Sequence, residues 1–352
     1  MQLYPQPSFL RLSPQFLSLD SLRTLALGVT LGITLGVWDG LRPILAADPD
    51  HVQQLLTTGS CPGCDLREAN LANIRLRNAN LQNADLRNAD LSYANLVDAN
   101  FTRANLTEAV MVGANLRRSN FQAAQMRLAD LSNSNLTGTN FNRANLDTAQ
   151  LPGVNLTGAN LRRSYLGDSN LTSAILRNVQ MPRAILAAAS LGGADLEGAN
   201  LQGSSLRGAG VDRANLTGAN LRNADLINAK FANTNFTNAD LRRAKLNFAY
   251  LQSTNFTGAN LEGADFQRAD FQRSILSGAN LTAANFANAN LILSRLDYSN
   301  LSYSNFTNAD LRGANLIAAN LSNANFSRAN LIEANLSSAN LTDTNFTEAK
   351  FK

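Results

Sequence analysis

From position 66 to position 351 every fifth residue is large and apolar: 58 centres in unbroken register, each Leu, Phe, Met or Val. Two places before each centre stands mostly Ala, sometimes Ser or Thr, and only rarely a larger residue, as at Ile74, Val154 and Val179. The residue between the two is mostly Asn or Asp. A strand alternates with period 2 and a helix with about 3.6, so a period of five fits neither as one continuous element. The chain must turn every five residues. Positions two apart share a face in extended backbone, which sends each centre and its small partner inward and the Asn or Asp outward. Four such sides close a square coil of 20 residues.

The phenylalanines test that closure. Among the centres, Phe falls at 101, 121 and 141, at 236 and 256, and at 266, 286, 306, 326 and 346, so ten of the thirteen centre phenylalanines lie in ladders spaced by 20. Like stacks on like. The expected fold is an all-β solenoid, a quadrilateral parallel β-helix of about 14 coils, with coils about 4.8 Å apart and a length of roughly 70 Å. Burying each centre contributes on the order of 1.5 to 3 kcal/mol before chain entropy is subtracted, so stability comes from neighbour stacking.

The amino end reads differently. Arg11 and Arg23 precede an apolar run over 24–38, and Ala46 and Ala47 precede Asp48, the charged, apolar, cleavable order of an export signal. The run has 15 residues, interrupted beyond by Asp39 and Arg42, and a bilayer core takes roughly 20. Residues 1–47 are therefore read as a signal peptide, with a retained membrane segment as the alternative. Residues 48–64 are read as a capping helix and a CxxC turn, and from Asp48 to Gly59 the grammar is helical: Asp48 as N-cap, Pro49 at the first turn, Val52, Leu55 and Leu56 on one face, and Gly59 as the stop. So short a helix needs support, and is expected to cap the solenoid spanning 65–352.

Blocks such as Ala84-Asp85-Leu86-Arg87-Asn88 and Ala159-Asn160-Leu161-Arg162-Arg163 resemble the A(D/N)LXX unit of the pentapeptide-repeat family, over about four fifths of the chain. The resemblance implies a right-handed β-helix, a hand that the period cannot supply. The lead-in, with Cys61, Gly63, Cys64, Asp65 and Leu66, further resembles exported members abundant in cyanobacteria, for which periplasm or thylakoid lumen is the usual destination. Arg75, Val110, Tyr165, Ile175, Ile185, Lys230 and Tyr250 depart from Asn or Asp before the centre, marking local changes of surface.

Little catalytic chemistry is available. His51, Cys61 and Cys64 are all the imidazole and thiol the chain has, short of a four-ligand zinc site. Cys61-Pro62-Gly63-Cys64 has CxxC spacing without a βαβ setting. A structural disulfide is the leading reading, with unpaired thiols and a redox switch as alternatives. His51 reads as a solvated or capping residue. Asn-Leu-Thr triplets match glycosylation sequons because the repeat spells them so. Outward carboxylates on a flat lattice have no pocket to tune them. No enzyme, cofactor or metal is expected. The reading is an exported, non-enzymatic scaffold or binding rod; the alternative is the topoisomerase-inhibiting, DNA-mimicking branch of the family, which calls for an acidic cytoplasmic rod.

Charge refines the picture. The net charge is +4, from 26 Arg, 4 Lys and 26 acids, unlike a nucleic-acid mimic. We number the walls by their first centres, 66, 71, 76 and 81; they carry 7 basic and 9 acidic residues, 6 and 6, 6 and 4, and 8 and 3. On the fourth wall Arg103, Arg143, Arg162, Arg163, Arg183, Arg222, Arg242 and Arg243 occupy eight consecutive coils, with Asp240 the one acid among them. Interleaved Asn100, Asn120, Asn140, Asn160, Asn200 and Asn220 form a polar ladder. Two readings of this wall stand: a solvated charged skin, of which one side must be the most basic, or a surface that docks an anionic partner, a protein surface or lipid headgroups, through guanidinium forks; nucleic acid is not expected as a partner after export. At the carboxyl end, full repeat grammar at Phe346 and Phe351 with Lys350 and Lys352 suggests a strand edge guarded by charge; the resemblance implies a weak end-to-end homodimer, with a monomer as the alternative.

Overall fold

The computed structural model describes residues 46–352; the charged and apolar parts of the export-signal reading lie outside the described residues. The chain divides into Met1–Ile44 and Leu45–Lys352, and the second unit holds the solenoid. One helix, α1 (Pro49–Thr58), opens it. The Asp48 carboxylate accepts the Asp50 N–H at 3.0 Å, and Gly59 ends the helix at φ 68°, its N–H donating to Leu55 O at 2.9 Å. Leu55 is fully buried, while Val52 and Ala47 pack partly against the same core. Asp48 N–H donates to Asp65 O at 3.1 Å, and His51 Nδ1 accepts the Asp65 N–H at 3.1 Å. His51 is thus a clasp between helix and first coil. Under this cover Cys61, Leu66 and Leu71 are fully buried, whereas Ile74 and Leu76 on the third side are half-buried.

Beyond the helix the backbone is a set of parallel ladders in which residue n bridges residue n + 20, beginning at Ser60 with Asn80 and running without a break to Asn330 with Lys350. The square coil of 20 residues is therefore real. It starts one pentapeptide before the expected boundary at 65, with Cys61 in the place of a Leu centre and Cys64 in that of the small partner. Each side spends its backbone donors in a fixed way. Leu66 N–H reaches Asp85 O in the next coil at 2.7 Å, Glu68 N–H reaches Arg87 O at 2.9 Å, and Asp85 N–H returns to Cys64 O at 2.8 Å. Ala69 N–H closes the turn onto Leu66 O at 3.1 Å. The fifth donor, Arg67 N–H, is taken by Asp65 Oδ1 at 3.3 Å.

That last bond corrects the expectation that the Asn or Asp before each centre simply faces water. At most sides its side-chain oxygen accepts the N–H two residues on, as Asn160 does for Arg162 at 3.2 Å, while Asn95 and Asn115 do not; this donor points away from both neighbouring coils and would otherwise lack a protein partner. Where the residue is Asn, its Nδ2 is free to donate along the stack: Asn140 to Asn120 at 2.9 Å and Asn160 to Asn140 at 3.1 Å. Ser at the small inward position finds an acceptor at several coils, though not at Ser134 and Ser274. Buried Ser164 Oγ donates to Leu161 O at 2.7 Å, which satisfies a hydroxyl that burial would otherwise penalise.

Every turn carries a left-handed third residue. All 58 such positions, from Gly63 to Glu348, have φ between 53° and 70°, and 44 of them are not glycine. A non-glycine residue there costs about 1 kcal/mol or more, and the chain accepts the cost because this φ aims the residue's N–H at the next coil. Glycine is required in a different sense at 113. A Cβ there would stand 2.6 Å from the Tyr93 ring of the coil before, and one at 313 would stand 2.8 Å from Leu293; each lies beneath an outsized neighbour.

The core is one continuous column. Phe286, Phe306 and Phe326 are fully buried, their rings parallel and 4.7 and 4.5 Å apart. In the last coil Leu341 and Phe351 are 42% and 46% exposed, since no coil of the structure lies over them. Phe306→Ala should cost about 3–5 kcal/mol through the cavity and lost stacking, and Phe306→Leu less than about 1.5. Denaturant unfolding checks both. Amide exchange in the coils around Phe286 and Phe326 should quicken first, because each coil is held only by its neighbours.

Candidate functional site

The fourth wall is held flat by its ladder. Asn120, Asn140 and Asn160 are linked Nδ2 to Oδ1, and Asn220 to Asn200 and Asn200 to Gln180 form a second run at 3.4 and 3.1 Å; Gln180 turns its Nε2 to Asn178 O, so the backbone bridge alone joins the two runs. Beside the ladder, at the turn, Arg143, Arg163 and Arg183 occupy the same left-handed position in three consecutive coils, at φ 60°, 56° and 60°. Their rungs are about 4.8 Å apart. Arg162 adjoins the middle one, and all four side chains are exposed. Arg103 and Arg243 lie farther along the same column. Among the described residues none of these six guanidiniums has an ion-pair partner.

Most other pairs in the structure show what they lack. Where Asp precedes a centre and Arg follows it, the two close a fork: Arg87 on Asp85 at 2.9 and 2.6 Å, and Arg312 on Asp310 at 2.9 and 2.8 Å. Across coils, Arg118 grips Asp98 at 2.8 and 2.7 Å, and this hydrogen-bonded partner holds the Asp98 carboxyl below its ordinary range. The same chemistry removes two members from the expected wall of eight. Arg242 forks onto Asp240 at 2.9 and 2.6 Å, and Arg222 Nε lies 3.9 Å from that carboxylate. The free charge is concentrated in Arg143, Arg162, Arg163 and Arg183, where consecutive coils bring no acid to the wall. Like charges so close favour an external anion.

Cys61 and Cys64 are joined in a disulfide, with Cα atoms 5.4 Å apart. It closes one corner of the first coil and lies buried under α1. Among the described residues no His, Cys, Asp and Glu side chains group as a metal site, and no helix is long and apolar enough to cross a membrane.

The pentapeptide-repeats family model, in eight copies, matches successive segments from 64–103 to 309–348. The chain belongs to the pentapeptide-repeat family. The fold of this pentapeptide-repeat protein is accordingly a right-handed β-helix solenoid. No curated protein matched it. Among solved structures it is similar to HetL, a pentapeptide-repeat protein involved in heterocyst differentiation regulation from the cyanobacterium Nostoc, with 28% identity over 80% of this chain and 91% of that one and a TM-score of 0.18. A pentapeptide-repeat protein from the Arabidopsis thaliana thylakoid lumen gives 27% identity over 34% and 66%, with a TM-score of 0.13. The plasmid-mediated fluoroquinolone resistance protein QnrB1 gives 19% over 49% and 88%, with a TM-score of 0.39. The superpositions are loose, and membership rests on the repeat.

The ion pairs and the disulfide each lead to a measurable outcome. Arg242 beside Asp240 holds that carboxyl below the ordinary carboxylate range. The pair's contribution is therefore full above the unfolded-state value and disappears as pH falls through the lower folded value. Asp240→Asn, which matches Asn220 and Asn260 on the same ladder, should cost about 1 kcal/mol or less at neutral pH. Thermal unfolding of both proteins should show that gap closing in acid. Reducing the disulfide, which closes a four-residue loop, should release about 2 kcal/mol of constraint and quicken amide exchange in the first coil and α1 alone. In Cys61→Leu/Cys64→Ala, which restores ordinary repeat residues, the exchange pattern should be indifferent to reductant.

Proposed function

We propose that this protein is an exported, non-enzymatic binding rod that docks an anionic partner on its fourth wall. The observation that carries the reading is the stack of Arg143, Arg163 and Arg183 with Arg162 beside it, four exposed guanidiniums without an ion-pair partner among the described residues, in consecutive coils that bring no acid to the wall. Guanidinium forks suit carboxylate or phosphate, and a wall locked by its asparagine ladder presents them without loss of backbone freedom on binding. The buried disulfide fits an oxidising compartment such as periplasm or thylakoid lumen. The regular wall offers rigidity and charge, which serve binding, and no convergent acid, base and nucleophile of the kind catalysis needs.

Changing Arg143, Arg162, Arg163 and Arg183 together to Gln should leave the circular dichroism spectrum and unfolding midpoint unchanged. It should lower the salt concentration at which the protein elutes from immobilised polyglutamate. Equal elution of variant and wild type would reduce the wall to a solvated skin. Fractionation of native cells tests the address, and a full-length cytoplasmic protein would contradict export.

A further inference from the structure

The corner between the fourth and first walls joins the free arginines to the two adjacent places where the polar ladder of the first wall fails. Tyr165 follows Arg163 by two residues and Ile185 follows Arg183 by two. Tyr165 bridges Ile185 directly across consecutive coils, in a column that reads Asn145, Tyr165, Ile185, Ser205. At both places the Asn or Asp that would take the N–H two residues on is replaced by a large apolar body, 47% and 42% exposed. The fold bears a cost for this. At Tyr165 the missing acceptor is supplied from the coil before, Asp147 Oδ1 taking the Gly167 N–H at 2.8 Å. Farther across the first wall the outward residues Gly167, Ala187 and Ala188 are small, and its acids here are the half-buried Asp147, spent on the Gly167 N–H, and the exposed Asp168 at the far turn.

We infer that this corner seats the solenoid on a membrane surface rich in anionic lipid, with Arg143, Arg163 and Arg183 on headgroup phosphates and Tyr165 and Ile185 at the headgroup boundary. The inference rests on the reading of the fourth wall as an anion-docking surface and names its partner. Charge complementarity alone would admit an acidic protein. A planar lipid surface is favoured because the apolar pair projects from a flat strand position flanked by small residues. Such a bed lets Tyr and Ile enter an interface while a row of cations parallel to the rod axis meets the headgroups together. Tyr, with an apolar ring and a polar tip, suits the headgroup depth. Peripheral binding of this kind needs both signals, since neither a few apolar groups nor a few charges holds alone.

The test places a reporter at the contact in the full chain. Trp38 is the sole tryptophan, so Tyr165→Trp in a Trp38→Phe background gives a local signal independent of any membrane affinity of residues 1–47. With vesicles of brominated phosphatidylcholine containing about one third phosphatidylglycerol, the reporter's emission should shift to shorter wavelength and be quenched. With phosphatidylcholine alone it should do neither. Adding Arg143→Gln, Arg163→Gln and Arg183→Gln should weaken binding roughly a hundredfold, at about fivefold for each arginine. Ile185→Asn should weaken vesicle binding and leave elution from polyglutamate unchanged. An unquenched reporter overturns the membrane inference. If arginine-dependent retention on polyglutamate persists in that case, the anion-docking reading stands with an acidic protein as partner. If the arginine changes affect neither probe, both readings fail.

Discussion

Everything in this protein hangs on hydrogen bonding between coils. Three of the five amide donors in each pentapeptide with a coil on both sides point along the solenoid axis to a chain segment 19 or 21 residues away. No side owns its partners. Removing a coil from the middle would strip donors and acceptors from both neighbours, so cooperativity runs along the axis and fades toward the ends. The half-buried Ile74 and Leu76 at one end and the exposed Leu341 and Phe351 at the other show where it is weakest. At the amino end the deficit is met by α1, the His51 clasp and the disulfide acting on the same coil.

The axial bonds also decide what the corners must be. A left-handed residue at each turn is the conformation that delivers the third donor to the next coil, and it is imposed equally on Arg163, Phe248 and Tyr303. Glycine, Asn and Asp fill 30 of the 58 turns, and intrinsic preference is overruled at the other 28. One result is that turn positions tolerate nearly any side chain, provided the coil after it leaves room, as Gly113 does for Tyr93. Binding chemistry can therefore be written on the corners with little regard to fold, and the unpaired arginine stack is such a corner.

The inward pattern was legible because burial enforces it: the spacing of Leu, Phe and Ala alone predicts the square coil, and the phenylalanine ladders predict the stacking seen from Phe266 to Phe346. The outward pattern was legible only as composition. Nothing in the spacing says that Asn160 serves a neighbouring amide as well as solvent, because the same residue would stand at a merely polar position. The left-handed turns left a diluted signature: 14 of the chain's 22 glycines stand at this position, but Arg163 and Phe248 stand there too, since axial bonding outweighs preference. Pairing was visible only in part. Asp240 precedes Leu241 and Arg242, as Asp85 precedes Leu86 and Arg87, so the fork was readable as a local word, whereas the approach of Arg222 needs the coil spacing as well. Cys61 escaped the repeat because cysteine stands where leucine is the rule.

A period of five set into a perimeter of four sides has a geometric consequence for how such a chain can change. Loss or gain of a whole coil shortens or lengthens the ladder and leaves every later residue on its wall. Loss of one pentapeptide also preserves the core, since any centre can succeed any other, but it turns all that comes after by a quarter revolution. A deletion of that size between Arg143 and Arg163 would carry Arg163 and Arg183 onto a neighbouring wall, splitting the charged column with hardly a mark on the hydrophobic interior. The register of this solenoid is thus a dial. Surface features many coils apart stay aligned only while the number of pentapeptides between them remains a multiple of four.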